Sequence, residues 1–300
     1  MSDPSAATPV PASPAVPYFD GMAAIADRYD AFILDVWGVL HDGVTLYPGV
    51  VDTLEHLTAA AKPFVMLTNA PRRSAAVAEA MIGMGMPAEY CRHILSSGEA
   101  TFLHMKERTD PFYARIGNRC LHIGPDRDRN LFDGLDWDQT DELADADLIV
   151  NTGPWEDGET VADYEDLLEA GIAQGLPMIC ANPDLEVVRG GRRIVCAGAL
   201  ALRYEELGGT VRWFGKPKTE IYDYCFRVLD GFYKSRIAAI GDSFRTDLAG
   251  AQNAGIAPIL VAAGIHAPEL GGPPPDAAAI GALAAEWDAL PAASIPAFVW

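Results

Sequence analysis

Long apolar runs are missing from this 300-residue chain. No stretch approaches the ~18 apolar residues of a membrane-spanning helix, and the Ala-rich segment 277–285 is too short. No membrane partner is expected. Basic charge is also scarce. Only 22 Lys and Arg stand against 42 Asp and Glu, a formal charge of −20. An acidic surface repels polyanions, so nucleic acid is not expected as a partner. A small phosphate ester held in a local site remains compatible with that charge. Cysteines number five (Cys91, Cys120, Cys180, Cys196, Cys225), with no close pair. That pattern fits reduced core thiols in a cytoplasmic protein, and neither a disulfide framework nor a zinc site. Residues 1–17 are rich in Pro, Ala and Ser. They lack the basic start and apolar stretch of a secretory signal and read as a disordered arm.

What the chain does have is a set of short apolar runs ending in small or polar clusters. Half of its residues are apolar, and its length suggests two domains or one domain with a large insertion. Ala31–Leu34 leads into Asp35, and Phe64–Leu67 into Thr68-Asn69-Ala70-Pro71. Ile237–Ile240 leads into Gly241-Asp242-Ser243, and Ile259–Val261 into Ala262-Ala263-Gly264. Near-continuous hydrophobicity of this kind marks parallel strands covered on both faces. Helical segments fall between them, at Val50–Ala61 and Thr246–Ala254. The alternation predicts an α/β fold built on a doubly wound parallel sheet. Ligands bind such sheets beyond the carboxyl ends of the strands, where the polar clusters sit.

The middle of the chain reads as a second alternating unit. Strands are predicted at Arg119–Ile123, Leu148–Val150, Met178–Cys180 and Ile194–Cys196, and a helix at Val161–Gln174 stopped by Gly175 and Pro177. Asp126-Arg127-Asp128-Arg129 reads as a loop, and Arg189-Gly190-Gly191-Arg192-Arg193 as a hairpin with a solvated tip. The expected plan is a core of residues 18–83 and 209–270 with an α/β insert at 84–208. A tail, 271–300, with a weak helix, is expected to pack on the core.

Asp35 closes a buried run and reads as a nucleophilic carboxylate. A carboxylate attacking phosphorus needs the phosphate's charge neutralised and an oxygen-ligand site for Mg²⁺. Asp242 and Asp247, at a strand end and in the next helix's first turn, can supply that site. The plainer reading makes them an N-cap and a helix-dipole partner. Thr68 and Asn69 suit a phosphate oxygen at a strand-to-helix turn, or simply cap a helix. Lys216, on the turn Phe214-Gly215-Lys216-Pro217-Lys218, is a candidate fixed cation, whereas Lys218 reads as solvated. His122 reads as a satisfied strand residue. Nucleophile, phosphate donors, cation and metal carboxylates follow in that order at successive predicted strand ends. These are the parts phosphoryl transfer requires.

On these residues the chain resembles the haloacid dehalogenase superfamily. Within it, it resembles the class IIA phosphatases, the group of 4-nitrophenylphosphatases and N-acetylglucosamine-phosphate phosphatases. The resemblance rests on Asp35-Val36-Trp37-Gly38-Val39-Leu40, Leu67-Thr68-Asn69, Gly215-Lys216-Pro217, and Gly241-Asp242 with Thr246-Asp247. It implies an inserted α/β cap, in which Ala181-Asn182-Pro183-Asp184 resembles a recurrent segment with Asn182 and Asp184 facing substrate. It implies that Asp35 attacks phosphorus and that water hydrolyses the aspartyl-phosphate. Thr68, Asn69 and Lys216 would hold the phosphoryl oxygens of a small phosphorylated metabolite. Mg²⁺ would bind Asp35, the backbone carbonyl of Trp37 and Asp242, with Asp247 binding directly or through water. Caps of this class can join two copies, so a homodimer is one implied assembly.

Trp37 departs from the pattern. Most phosphatases of this layout carry a second aspartate there, the acid that protonates the leaving group. An indole N–H is no acid in the working range. General acid help is worth ~10²–10⁴-fold, so alkyl phosphates should suffer most and aryl or acyl phosphates least. His41 and Asp42 follow as substitute acids, or form a polar turn with Gly43. Two alternatives stand beside the phosphatase. One is a catalytically weak phospho-ligand binding or regulatory protein. The other is a metal-independent 2-haloacid dehalogenase, a branch with an aromatic residue at this position. Asp242 and Asp247 argue against the latter, because without a metal they repel each other and the nucleophile.

Overall fold

The computed structural model describes residues 16–300, so all of the expected arm except residues 16 and 17 lies outside the described residues. Three strands come first: β1 (Ala31–Leu34), β2 (Phe64–Thr68) and β3 (Ile94–Ser96). Seven follow: β4 (Arg119–Ile123), β5 (Asp138–Thr140), β6 (Leu148–Asn151), β7 (Met178–Cys180), β8 (Glu186–Arg189), β9 (Arg192–Val195) and β10 (Val211–Trp213). Then come β11 (Ile237–Gly241), β12 (Ala257–Val261) and β13 (Ala293–Ile295).

Six of these form one parallel sheet in the order β13-β12-β11-β1-β2-β3. Its central strands are buried on both faces, which is why they read as continuous apolar runs. Alternate residues point to opposite sides. Phe32 and Leu34 pack on one face with Met22, Leu54 and Val77 from helices Met22–Ala26, Val50–Ala59 and Ser74–Gly83. Ala31 and Ile33 pack on the other with Ile221, Cys225 and Ala251 from helices Glu220–Val228 and Ala249–Ala254.

A second parallel sheet runs β10-β7-β6-β4-β5 and is covered in the same way. Ile149 faces Leu168 and Leu200, while Leu148 and Val150 face Phe102 and Leu131. Sheet membership differs from the expected insert at both ends. β3 lies within 84–208 but pairs with β2, and β10 lies beyond 208 but pairs with β7. Of the predicted strand Ile194–Cys196, Ile194 and Val195 lie in the antiparallel hairpin β8–β9, and Cys196 instead stands at the N-cap of the next helix. In the tail, helix Ala277–Trp287 packs Ile280 and Ala284 against Phe244 and Leu248. β13 adds an edge strand where the sequence showed only an irregular end; three residues are too few to carry a period.

Candidate active site

The carboxyl ends of β1, β2 and β11 meet, and each delivers polar residues to the same spot. Asp35 follows β1, and its backbone N–H donates to Ile240 O at 2.9 Å, which holds the side chain at the sheet's end. Thr68 ends β2 and Asn69 follows it, both buried. Asp242 follows β11, and Asp247 sits in a π-type turn, Phe244–Leu248, capped by Ser243. The Ser243 N–H donates to Asp247 Oδ2 at 3.1 Å, and Ile265 N–H to Asp242 Oδ2 at 2.8 Å. The turn therefore aims Asp247, and the loop after β12 aims Asp242, so neither merely caps a helix.

Lys216 arrives from outside these strands and joins them. It is 3% exposed, and its Nζ donates to Asp35 Oδ1, to Asp247 Oδ1 at 2.6 Å and to Leu67 O at 3.1 Å. Asp35, Asp242 and Asp247 can each offer one oxygen such that all lie within 4.8 Å of one another. Three buried carboxylates thus share one buried ammonium. Burial, then the Asp247 charge, pushes the Asp35 carboxyl well above the usual carboxylate range, although Lys216 pulls the other way. Burial and Asp247 push Asp242 up to about 7. Burial opposes the Lys216 charge, but Asp247 and Asp35 outweigh it and hold the ammonium well above the ordinary lysine value. The cluster carries more negative charge than one lysine offsets. A hard cation with oxygen ligands fits that donor set.

Glycine is required beside it. Gly38 has φ +85°, and a Cβ there would stand 2.1 Å from Asp242 Oδ2. The turn after Asp35 can pass the second carboxylate only without a side chain.

A cavity of about 590 Å³ opens on this cluster. It is lined by Asp35, Trp37, Thr68, Asn69, Lys216, Asp242 and Asp247 on one side and by residues near β7, β8 and β9 on the other, with Asn182 and Asp184 among them. Asn69 Nδ2 donates to Asp184 Oδ1 at 2.8 Å, while Asn69 Oδ1 accepts from Lys216 N at 2.8 Å. The Asn69 amide is thus engaged by Asp184 and by the Lys216 backbone. Asn182 Oδ1 accepts from Asp184 N at 3.0 Å and shapes that segment. Arg245 Nη1 donates to Pro183 O at 2.6 Å. Trp37 makes a third link across the cleft: its Nε1 donates to Val188 O at 2.8 Å, and the Arg189 guanidinium lies 5.5 Å from its ring. The hairpin read as having a solvated tip therefore has its flanks over the site, although Gly190 and Gly191 are exposed.

His41 and Asp42 are not among the residues lining this cavity. His41 is buried against Trp37 with ring centroids 5.3 Å apart, and its Nδ1 accepts from Gly43 N at 2.9 Å. Burial lowers its pKa to about 4. Asp42 caps Val44 and Thr45, whose N–H groups lower its pKa. They form the polar turn that is the plainer reading of this segment. His122 is half satisfied, with Nε2 2.9 Å from Thr152 Oγ1 and Nδ1 lacking a partner among the described residues.

Part of the cavity wall carries little signal in the sequence. Asp126–Phe132, read in part as a loop, is a 3₁₀ turn that buries Asp128 and brings Arg127 to the cavity. Arg72 and Asp157 also line it. The only signal for Arg72 was its place four residues after Thr68.

A doubly wound sheet that gathers three carboxylates and a lysine at its strand ends, facing a second α/β unit, defines a class of proteins with a carboxylate-centred site. A model described as haloacid dehalogenase-like hydrolase matches residues 32–138, and a second HAD-like hydrolase model matches residues 213–283. A haloacid dehalogenase-like family hydrolase from Brucella suis 1330 is 35% identical, with TM-score 0.80 over 93% of this chain and 99% of that one. This chain belongs to the haloacid dehalogenase-like hydrolase family. A possible sugar phosphatase of Cytophaga hutchinsonii shares the fold at TM-score 0.75 and 20% identity, over 94% of this chain and 98% of that one. Phosphoglycolate phosphatase 2 of Arabidopsis thaliana is 24% identical over 81% of this chain and 85% of its own length.

Proposed function

We propose that this protein is a Mg²⁺-dependent phosphohydrolase of the class IIA type, acting on a small phosphorylated metabolite. In this reading the second sheet and the hairpin β8–β9 form the cap. The observation that carries it is the buried convergence of Asp35, Lys216, Asp242 and Asp247 at the mouth of one cavity. The names of relatives, a phosphoglycolate phosphatase among them, point the same way.

Asp35 acts as nucleophile. Its carboxylate oxygen forms a bond to phosphorus as the ester oxygen leaves with the bonding electron pair. Water then cleaves the aspartyl-phosphate, restoring the carboxylate and releasing inorganic phosphate. Lys216 and Thr68 hold the phosphoryl oxygens, and Asn69 fixes the Lys216 backbone through its amide. Asp35, Asp242, Asp247 and the Trp37 main-chain carbonyl would hold Mg²⁺, which, when bound, offsets phosphate charge. Asn182 and Asp184 present the cap to the substrate. Trp37 donates no proton, and neither His41 nor Asp42 reaches the cavity. Leaving groups that are stable as anions, aryl or acyl phosphates, are therefore favoured.

A second reading has one observation behind it. The indole that stands in for the acid also fastens Val188 across the cleft. A protein that binds a phosphorylated ligand tightly and turns it over slowly would use the residue this way. Hydrolysis of matched aryl and alkyl phosphates, with Mg²⁺ and with chelator, tests both. Mg²⁺-dependent aryl phosphate turnover supports the phosphatase. Tight binding with negligible turnover of every ester supports the binding protein.

A further inference from the structure

The cavity has a second charged feature that the proposed chemistry leaves unused. Arg72, Arg127 and Arg189 line it, and the same three line a smaller pocket of about 140 Å³ that shares Trp37 and Thr68 with it. They come from separate elements: the loop after β2, the Asp126–Phe132 turn and the end of β8. Two carboxylates answer them. Asp157 lies 3.5 Å from Arg127 and 2.8 Å from Arg189. Buried Asp128 lies 3.9 Å from Arg72 Nε. Three guanidiniums face these two carboxylates, one cation more than the pair can offset.

Arg72 is the informative member. Its side chain is 26% exposed, yet its nearest carboxylate is beyond hydrogen-bond reach. Among the described residues its guanidinium makes no hydrogen bond. Burial lowers its pKa, Asp128 opposes that, and Arg127 and Arg189 add repulsion. A guanidinium presents five donors in a fixed fork that matches a carboxylate or phosphate. Two other arginines do engage acceptors within the protein: Arg193 pairs with Glu186 and Arg203 with Glu165. Arg72 is left facing the cavity with its donors unused.

We infer that the substrate is a phosphate ester carrying a second anionic group, carboxylate or phosphate, which Arg72 binds together with Arg127 and Arg189. This inference rests on the phosphatase reading. The two ends of such a molecule are close. Arg72 follows Thr68 by four residues, which bounds their Cα separation at roughly 14 Å by chain reach alone. A small bifunctional ester spans that distance and fits a cavity of this volume.

The test uses the full chain with Mg²⁺ and three phenyl phosphates matched in leaving group. Their side arms are carboxymethyl, phosphonomethyl and neutral carbamoylmethyl. The expected result is a kcat/KM preference of about tenfold or more for at least one anionic arm, the size of one charge-assisted pair. Which arm wins distinguishes carboxylate from phosphate. Arg72→Gln should shrink that preference by about tenfold, chiefly through KM. Arg127→Gln, at a half-exposed side chain, gives the same reading if Arg72→Gln does not fold. A preference near one in the wild type, or one unchanged in the variants, overturns the inference. If no ester is hydrolysed, the phosphatase reading fails by itself. Calorimetry with the non-hydrolysable phosphonates of the same three arms then decides the subsite: tighter binding of an anionic arm upholds it, and equal affinities overturn it.

Discussion

The Trp37 indole donates a hydrogen bond to the main-chain carbonyl of Val188, 2.8 Å away, and so ties the loop after Asp35 to strand β8. Trp37 thus acts as a clasp between the two. The chain accommodates it locally: Gly43 has φ +87°, and a Cβ there would stand 2.4 Å from the Trp37 ring.

Trp37→Phe keeps a ring and removes the bond. Hydrogen exchange across residues 186–195 should speed up, and KM for small esters should rise. Trp37→Asp loses the clasp and gains an acid. The ratio of alkyl to aryl phosphate turnover should rise about tenfold or more, within the usual range of general acid help. An unchanged ratio would mean that another group already supplies the proton.

Metal affinity should depend on pH through Asp35 and Asp242. Both have raised pKa values when folded, Asp242 about 7 against an ordinary 3.8. Without metal, their contribution to stability is full below the unfolded value and is lost as pH rises through the folded one. His41, lowered to about 4, works oppositely: its contribution is present above 6.5 and lost as pH falls to about 4. Melting temperature alone mixes the two. The Mg²⁺ concentration needed for half-maximal stabilisation separates them, because the ion must displace protons from the carboxylates. It should fall as pH rises through about 7, where Asp242 loses its proton. A midpoint independent of pH would remove Asp242 and Asp35 from the metal site.

Gly38→Ala should cost about 1 kcal/mol or more, from the positive φ and the clash with Asp242. Because the clash falls on a carboxylate of the cluster, Mg²⁺ stabilisation should drop more than the metal-free melting temperature does. Equal losses would place Asp242 outside the metal site.

The Asn69–Asp184 bond offers a measure of how firmly the two units are joined. A double-mutant cycle with Asn69→Ala and Asp184→Ala, read by denaturant unfolding, should give a coupling of about 1.5–3 kcal/mol, the range for a charged acceptor. Coupling near zero would mean the pair is open in solution.

The parallel core was legible because strands covered on both faces need unbroken apolar runs, as at Ala31–Leu34 and Ile237–Gly241. Asp35, Thr68 and Asp242 were legible because each follows such a run, and Asp247 because it falls in the first helical turn after Asp242. Lys216 was placed by its Gly-Lys-Pro turn. The edges were not legible. β3 and β13 have three residues each and include a serine, so neither offers the unbroken apolar run that marks the equally short β7. The arginines of the cavity were hidden for another reason. Arg72, Arg127 and Arg189 lie up to 117 positions apart in sequence and meet only through tertiary folding. Charges on turns read as solvated until the opposite wall is in place. Trp37's bond to Val188 spans 151 residues, and no local pattern announces it.

The most direct test of the account is chemical trapping at Asp35. An aryl phosphate is mixed with enzyme and Mg²⁺, turnover is quenched in acid, and the peptides are read by mass spectrometry. A phosphoryl group on Asp35, absent without Mg²⁺ and absent in Asp35→Asn together with activity, is the expected result. Turnover that survives Asp35→Asn, or phosphate found on any other residue, would contradict it.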